Sequence, residues 1–210
     1  MTAHHLEDQG ETLILRLMRG SAIRGLGAMR PAQNLYGMMV LRPLLDVPKE
    51  RLKEWVTEHH LDIVCDGSNF DETYNRNLLR QRVFPVLQSR WPNTAKALAR
   101  SAGHFQEVQS ILDSVAAEDL VTCTMSGGAN VLWDLGSVSK PKLLRLDHPR
   151  LLNLLRYWVD INGLQVPSER ALREFVRQLE SSGQTASPVL RVGSANFRCY
   201  RDRIFFVPDP

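Results

Sequence analysis

Between His4 and Glu11 the chain sets two imidazoles and three carboxylates (His4, His5, Glu7, Asp8 and Glu11) at the head of an apolar run, Leu13-Ile14-Leu15 with Leu17 and Met18. The run gives a helix one face to bury, so Glu7 to Met18 is predicted helical. On that helix Asp8, Glu11 and Thr12 fall within one turn on neighbouring faces. Clustered carboxylates repel and, once desolvated, need partners. Helix starts at the carboxyl ends of strands present backbone donors to phosphate. A carboxylate such as Asp8 can hold Mg²⁺ between itself and that phosphate. The plainer alternative is that Glu7 and Glu11 only complement the helix dipole.

A second cluster runs from Asp66 to Arg80. Asp66, Ser68 and Asn69 can form a capped turn. Arg76 and Arg80, four apart, share a helix face and could clamp phosphate with bidentate hydrogen bonds. A salt-bridged helix is the competing account. No acidic residue lies between Glu72 and Glu107, whereas Arg76, Arg80, Arg82, Arg90, Lys96 and Arg100 do. A one-signed stretch suits a polyanion, or else a solvated basic face. Ser126-Gly127-Gly128 imitates the opening of a pyrophosphate loop, Ser-Gly-Gly-x-Asp-Ser, but Ala129-Asn130-Val131 follows, so it reads as a turn.

The elements that must position these groups can be read from pattern. Ser21 to Gly37, with Gly25, Gly27 and Pro31, is expected to be a loop. Met38–Leu41 is expected to be a buried strand delivering Arg42. A helix capped by Asp46 should run from Lys49 to His59, Asp62–Cys65 should be a strand, and Asp71 to Gln88 a helix. After Trp91-Pro92-Asn93 come a long helix (Thr94–Leu120) and a hairpin (Val121–Met125 with Asn130–Asp134). Helices at Pro149–Ile161 and Pro167–Glu180 and strands at Val189–Val192, Asn196–Tyr200 and Arg203–Val207 complete the reading, with Arg201-Asp202 at a tight turn. The expected fold class is α/β: an incomplete parallel-sheet portion over 1–93, then a mainly helical domain with terminal strands over 94–210.

The chain has 210 residues and a formal charge of +3, which is too mild to name a partner by itself. Cys65, Cys123 and Cys199 are odd in number and far apart, with no metal-ligand spacing, which fits a reducing cytosol. No apolar run approaches a membrane span and no signal-peptide pattern opens the chain, so a cytoplasmic protein is expected.

Taken together, Thr2-Ala3-His4-His5-Leu6-Glu7-Asp8-Gln9-Gly10-Glu11-Thr12 with Leu17-Met18-Arg19-Gly20-Ser21 resembles the acidic-helix motif of bacterial tRNA(Ile)-lysidine synthetases, in the PP-loop ATPase superfamily. Arg42-Pro43-Leu44-Leu45 and Asp66-x-Ser68-Asn69-x-Asp71…Arg76-Asn77-x-x-Arg80…Pro85 follow in family order. The resemblance implies two-step ligation on the wobble cytidine of a tRNA(Ile) with a CAU anticodon. ATP adenylates the C2 carbonyl oxygen, and free L-lysine then displaces AMP to give lysidine. By that analogy His4, Asp8 and Arg76 are catalytic, and Asp8, Glu11 and Arg80 bind the cofactor ATP, with Mg²⁺ on Asp8. Arg82, Arg90, Lys96 and Arg100 would meet tRNA. No membrane is involved, and a homodimer is among the assemblies allowed.

Glu7 stands where the family has Asp, and Gly10 where it has Ala, a change expected to loosen the helix by about 1 kcal/mol. The family's Ser-Gly-Gly-x-Asp-Ser loop would lie before Met1, so the chain reads as an N-terminally truncated member, inactive in ligation as a free polypeptide. Rival readings are a non-catalytic tRNA-binding remnant, a metal-dependent phosphohydrolase on His4, His5, Asp8 and Glu11, and a tRNA-thiolating relative. The second lacks further spaced ligands, and the third lacks paired cysteines.

Overall fold

A computed structural model describes residues 1–35, 38–64, 67–124, 137–182 and 187–208. The chain is a mixed α/β protein dominated by helix, with an N-terminal portion of helices and short strands followed by a helical region and terminal strands. It divides into two compact units, Met1–Ser110 and Ile111–Pro210. Where composition puts a boundary near residue 93, the contacts place the first half of one long helix with the N-terminal unit.

In that unit α1 spans Leu6–Met18, one residue longer than the pattern predicts. It stops at Gly20, whose φ of +66° is open to glycine without cost. There the Ser21 amide donates to Arg16 O and the Gly20 amide to Leu17 O, the paired bonds that satisfy a helix C-terminus. Of the expected loop Ser21 to Gly37, the described residues 21–35 are more ordered than expected: α2 covers Ile23–Leu26, and β1 (Ala32–Leu35) pairs antiparallel with β2 (Met38–Leu41). β2 is a strand as predicted, but it is not buried. Met38 and Met39, which point to opposite faces, are both exposed, because neither face of this two-stranded hairpin is fully covered by the described residues.

The turn between α2 and β1 is fastened by side chains reaching in from elsewhere. Arg16 Nη1 donates to Gly25 O (2.6 Å) and Ala28 O (2.8 Å). Gln9 both donates to Met29 O (2.7 Å) and accepts from its amide (2.9 Å). Gln106 donates to Gly27 O and Met29 O, and Arg42 Nη1 to Arg30 O (2.9 Å). Buried carbonyls demand such partners, and here every one of these is found outside the turn.

α3 spans Lys49–Glu58, as predicted, but Pro48 and not Asp46 stands at its N-cap. Asp62–Val64, expected as a strand, has no regular structure; Cys65 and Asp66 lie outside the described residues. A 3₁₀ turn covers Gly67–Phe70. The helix predicted from Asp71 starts later, as α4 (Asn75–Leu78), a π segment (Leu79–Val83) and α5 (Phe84–Arg90). Asp71 is occupied instead in a turn, accepting from the Thr73 amide and hydroxyl. α6 runs from Thr94 to Cys123. Leu13 of α1 is buried with Ala28 and Ala102, and Leu98 and Phe105 of α6 pack beside them.

The predicted strand at Val121 is overturned as far as Cys123, which continues α6, because Ala116 and Cys123 extend one buried helical face. Thr124, still within the expected strand, makes an isolated antiparallel bridge to Val138, and the rest of the hairpin, with Ser126-Gly127-Gly128, lies outside the described residues. β3 (Ser137–Ser139) and α7 (Lys140–Leu143) lead into α8 (His148–Ile161) and α9 (Glu169–Ser181), capped by Asp147 and Ser168. β4 (Val189–Val192), β5 (Ala195–Tyr200) and β6 (Arg203–Pro208) complete an antiparallel sheet of order β3-β6-β5-β4. Its inward residues Leu190, Val192, Phe197, Cys199, Ile204 and Phe206 are buried with Leu154, Leu155, Trp158, Leu172 and Phe175 of α8 and α9. Phe197 sits 4.8 Å from Phe206 and 5.0 Å from Trp158, ring centre to ring centre.

Candidate active site and nucleic-acid face

The N-terminal segment is pinned before its chemistry begins. The Thr2 amide donates to Leu41 O and the Leu6 amide to Val47 O, so His4 and His5 are carried at a fixed entry to α1. The His5 amide donates to Asp8 Oδ2 at 2.9 Å, closing the helix start. Glu7 Oε2 accepts from the Lys49 amide at 2.9 Å, so this carboxylate serves the N-terminus of α3 as well as its own helix.

Asp8 and Glu11 point the other way. Both are buried, and the Glu11 side chain retains 2% of its surface. Against them stand Arg76 and Arg80, held in place because Asn77 Nδ2 donates to Ser68 O and Asp71 O, both at 2.9 Å. Arg76 Nε donates to Glu11 Oε2 (2.8 Å) and its Nη2 to Asp8 Oδ1 (3.0 Å). Arg80 Nε donates to Glu11 Oε1 (2.8 Å), and its Nη2 to Glu11 Oε2 (2.9 Å) and Asp8 Oδ1 (3.3 Å). The π segment begins at Leu79, one residue before Arg80, and such segments recur at functional sites. Glu11 holds the Arg80 guanidinium more firmly protonated than usual, by hydrogen bond first and by charge second.

Both carboxylates grip the Nε–Nη2 edge of each guanidinium. Neither Nη1 has a partner among the described residues, and the side chains of Arg76 and Arg80 keep 39% and 31% of their surface. Two fixed cations therefore offer free donors outward while their charge is balanced from behind. Asp8 also lies within electrostatic reach of His4, whose Nδ1 is 2.8 Å from Thr2 Oγ1. Burial above all, then Arg76, Arg42 and His5, push the His4 pKa down, with Asp8 opposing. These influences favour the neutral imidazole of His4. No group of three or more His, Cys, Asp or Glu converges among the described residues, so no all-protein metal cage exists there. A hard cation on Asp8 would share its carboxylate with Arg76, Arg80 and the His5 amide and would take its other ligands from water and phosphate.

The basic residues expected to meet a polyanion separate into two groups. Arg76 and Arg80 turn inward, and Arg82 pairs with Glu72 at 2.7 Å. Arg90, Lys96 and Arg100 are exposed and carry no ion pair among the described residues. Sequence reasoning missed Gln9, Arg16 and Gln106 as fasteners. It also gave no role to Arg42, which is buried with its Nε unpartnered. The one available signal for Arg42 was the run Arg42-Pro43-Leu44-Leu45. Gly10 needs a corrected account: a Cβ there would stand 3.0 Å from Phe84 Cζ and 3.1 Å from Leu98 Cδ1, so glycine lets α1 approach both.

Comparison with known proteins adds identity to this geometry. Residues 1–87 match a PP-loop domain, and residues 139–205 match the TilS substrate binding domain. The chain is 36% identical over 207 residues to the tRNA(Ile)-lysidine synthase of Shigella flexneri, covering 99% of this chain and 46% of that protein. It is 39% identical over 208 residues to the one from Alkalilimnicola ehrlichii, covering 99% and 45%, and 37% identical over 206 to that of Salmonella paratyphi B, covering 98% and 46%. Over the part that it spans, the chain is similar to tRNA(Ile)-lysidine synthases. It spans about half the length of these relatives. The acidic start of α1 and the arginines of α4 and the π segment thus lie in the stretch that matches the PP-loop domain, and α8, α9 and most of the terminal sheet in the stretch that matches the substrate binding domain. No described helix is long and apolar enough to cross a membrane.

Proposed function

We propose that this chain supplies the acidic-helix half of an ATP-dependent tRNA(Ile)-lysidine synthase together with part of its tRNA surface. The observation that carries the reading is the convergence of Asp8 and Glu11 with Arg76 and Arg80, each arginine keeping Nη1 free. In the proposed reaction the C2 carbonyl oxygen of the wobble cytidine attacks the α-phosphate of ATP and pyrophosphate leaves. The side-chain amine of free lysine then attacks C2, and AMP departs. Adenylation matters because a carbonyl oxygen leaves poorly and AMP leaves well.

In this scheme Arg76 and Arg80 meet phosphate charge as it develops, in a partly dry setting where fixed donors count most. Glu11 holds the two guanidiniums in position from behind. Asp8 would hold Mg²⁺, which when bound would draw charge off the phosphate oxygens. His4, whose neutral form burial favours, takes the proton that the lysine amine sheds as it attacks C2. Arg90, Lys96 and Arg100 meet the tRNA backbone, with Arg82 a weaker contributor because Glu72 holds it. A cytoplasmic location follows from the same reading.

A chimera in which these residues replace the matching stretch of the Shigella flexneri relative tests this. Asp8→Asn and Arg76→Ala should each cut AMP release at least 100-fold while tRNA affinity stays within about threefold. Near-normal turnover in either variant refutes the role given to that residue. Arg90→Glu or Lys96→Glu should instead weaken tRNA binding by this chain alone, more so at low salt. If the chimera binds tRNA and never adenylates it, the non-catalytic remnant is the correct reading.

A further inference from the structure

At the corner between α5 and α6 the backbone of Trp91 is locked. Its amide donates to Leu87 O at 2.8 Å, and its carbonyl accepts from the Thr94 amide (3.0 Å) and hydroxyl (2.6 Å). Thr94 itself is buried, yet Trp91 keeps 60% of its surface. A large ring held out on a fixed backbone asks for no backbone ordering on binding, and its side chain has only two rotatable angles to lose. Arg90 and Lys96, both exposed, flank it in sequence without an ion pair among the described residues, within a run free of acidic side chains from Thr73 to Gln106.

Other candidate surfaces lack this combination. Trp55 is similarly exposed, but His59 stacks on it at 4.2 Å and Glu54 and Glu58 lie on the same helix. Along α9, Arg173 is tied to Glu169 and Arg177 to Glu174, and Arg170 lies within electrostatic reach of the Glu174 carboxylate. An uncovered aromatic face between unpaired cations is the arrangement that holds single-stranded nucleic acid, the cations on phosphate and the ring on a base.

We infer that Trp91 stacks on an unpaired nucleobase of the bound RNA, turning the Arg90–Arg100 phosphate contacts into a site for single-stranded rather than duplex segments. This inference rests on the proposed RNA contact and deepens it. Every base has a ring face to offer, so the preference is for unpaired nucleotides, not for a sequence.

The test compares the intact chain with Trp91→Ala and Trp91→Phe on a twelve-nucleotide single-stranded RNA and a blunt duplex of the same length. Labelled-RNA anisotropy gives affinity and tryptophan emission reports stacking. Trp91→Ala should weaken single-strand binding about 5- to 100-fold, abolish the single-strand quenching of emission and leave duplex binding within about twofold. Trp91→Phe, which keeps a ring, should stay within about threefold, which also excludes misfolding as the cause. The salt slope should be unchanged in Trp91→Ala and reduced by about one in Arg90→Ala and in Lys96→Ala. Single-strand affinity within twofold of the parent, or equal loss on both RNAs, overturns the stacking role. So does a dimer of the parent that dissociates in Trp91→Ala while RNA affinity is unaltered. If the arginine and lysine variants lose binding and Trp91→Ala does not, the phosphate contacts stand and only stacking falls. A parent chain that binds neither RNA removes both.

Discussion

Glu11 is the residue on which the N-terminal cluster turns. Its carboxylate accepts three hydrogen bonds from two guanidiniums at 2.8–2.9 Å, at 2% exposure. Glu11→Ala leaves Arg76 and Arg80 facing each other with only Asp8 between them. Breaking a fully buried pair costs about 3–5 kcal/mol. Both arginines keep roughly a third of their surface in water, so about 2–4 kcal/mol is expected, read as a fall in the urea midpoint. His4 gives a prediction with a definite sign. Its folded pKa lies below the ordinary 6.5, so the unfolded chain takes up the proton first on acidification. Its contribution to stability is complete above about pH 6.5 and is lost below it. The groups facing it are Asp8 on α1, Arg76 on α4, Arg42 beyond β2 and neighbouring His5. The midpoint should therefore fall between pH 7.5 and 5.5, and His4→Asn should flatten that fall; an identical pH profile in the variant would remove His4 from the account.

Two helical glycines separate propensity from packing. At Gly103 of α6 a Cβ would meet nothing within 4 Å, so Gly103→Ala should raise stability by about 0.5–1 kcal/mol. At Gly10 of α1 the same change gains the same propensity but drives a methyl into Phe84 and Leu98, and a net loss of about 1–2 kcal/mol is expected. Thermal melts of the pair give opposite shifts if packing decides. This contrast also explains what could be read from sequence. The terminal strands were legible because Leu190, Val192, Phe197, Cys199, Ile204 and Phe206 alternate inward, and α8 and α9 because a cap precedes each apolar stripe. β1 was not, since Ala32-Gln33-Asn34 carries no strand pattern and exists through its pairing with β2. Asp62–Val64 looked apolar enough for a strand but has no pairing partner among the described residues. In the site, α1 and the shared face of Arg76 and Arg80 were legible from spacing. That the arginines would close on Asp8 and Glu11, some 65 to 72 residues away in the chain, was not, because spacing has no reach across the fold.

At the scale of the whole chain, stability is concentrated in different materials in the two units. The C-terminal unit holds an aromatic centre in which Phe197 touches Trp158, Phe175 and Phe206. Phe197→Ala should cost about 3–5 kcal/mol, a large share of what a unit of that size commands, and tryptophan emission during urea unfolding reports it through Trp158. The N-terminal unit has a smaller apolar cluster and relies more on polar fastening. That fastening has a consequence for how the turn between α2 and β1 can change over generations. Its path is set by Arg16, Gln9, Gln106 and Arg42, all of which grip carbonyl oxygens, and every amino acid has one. Gly27, Ala28 and Met29 are buried, so it is at Arg30 and Pro31, both exposed, that side chains are free to diverge while the backbone keeps its course, and lineages can acquire new surface chemistry there without refolding.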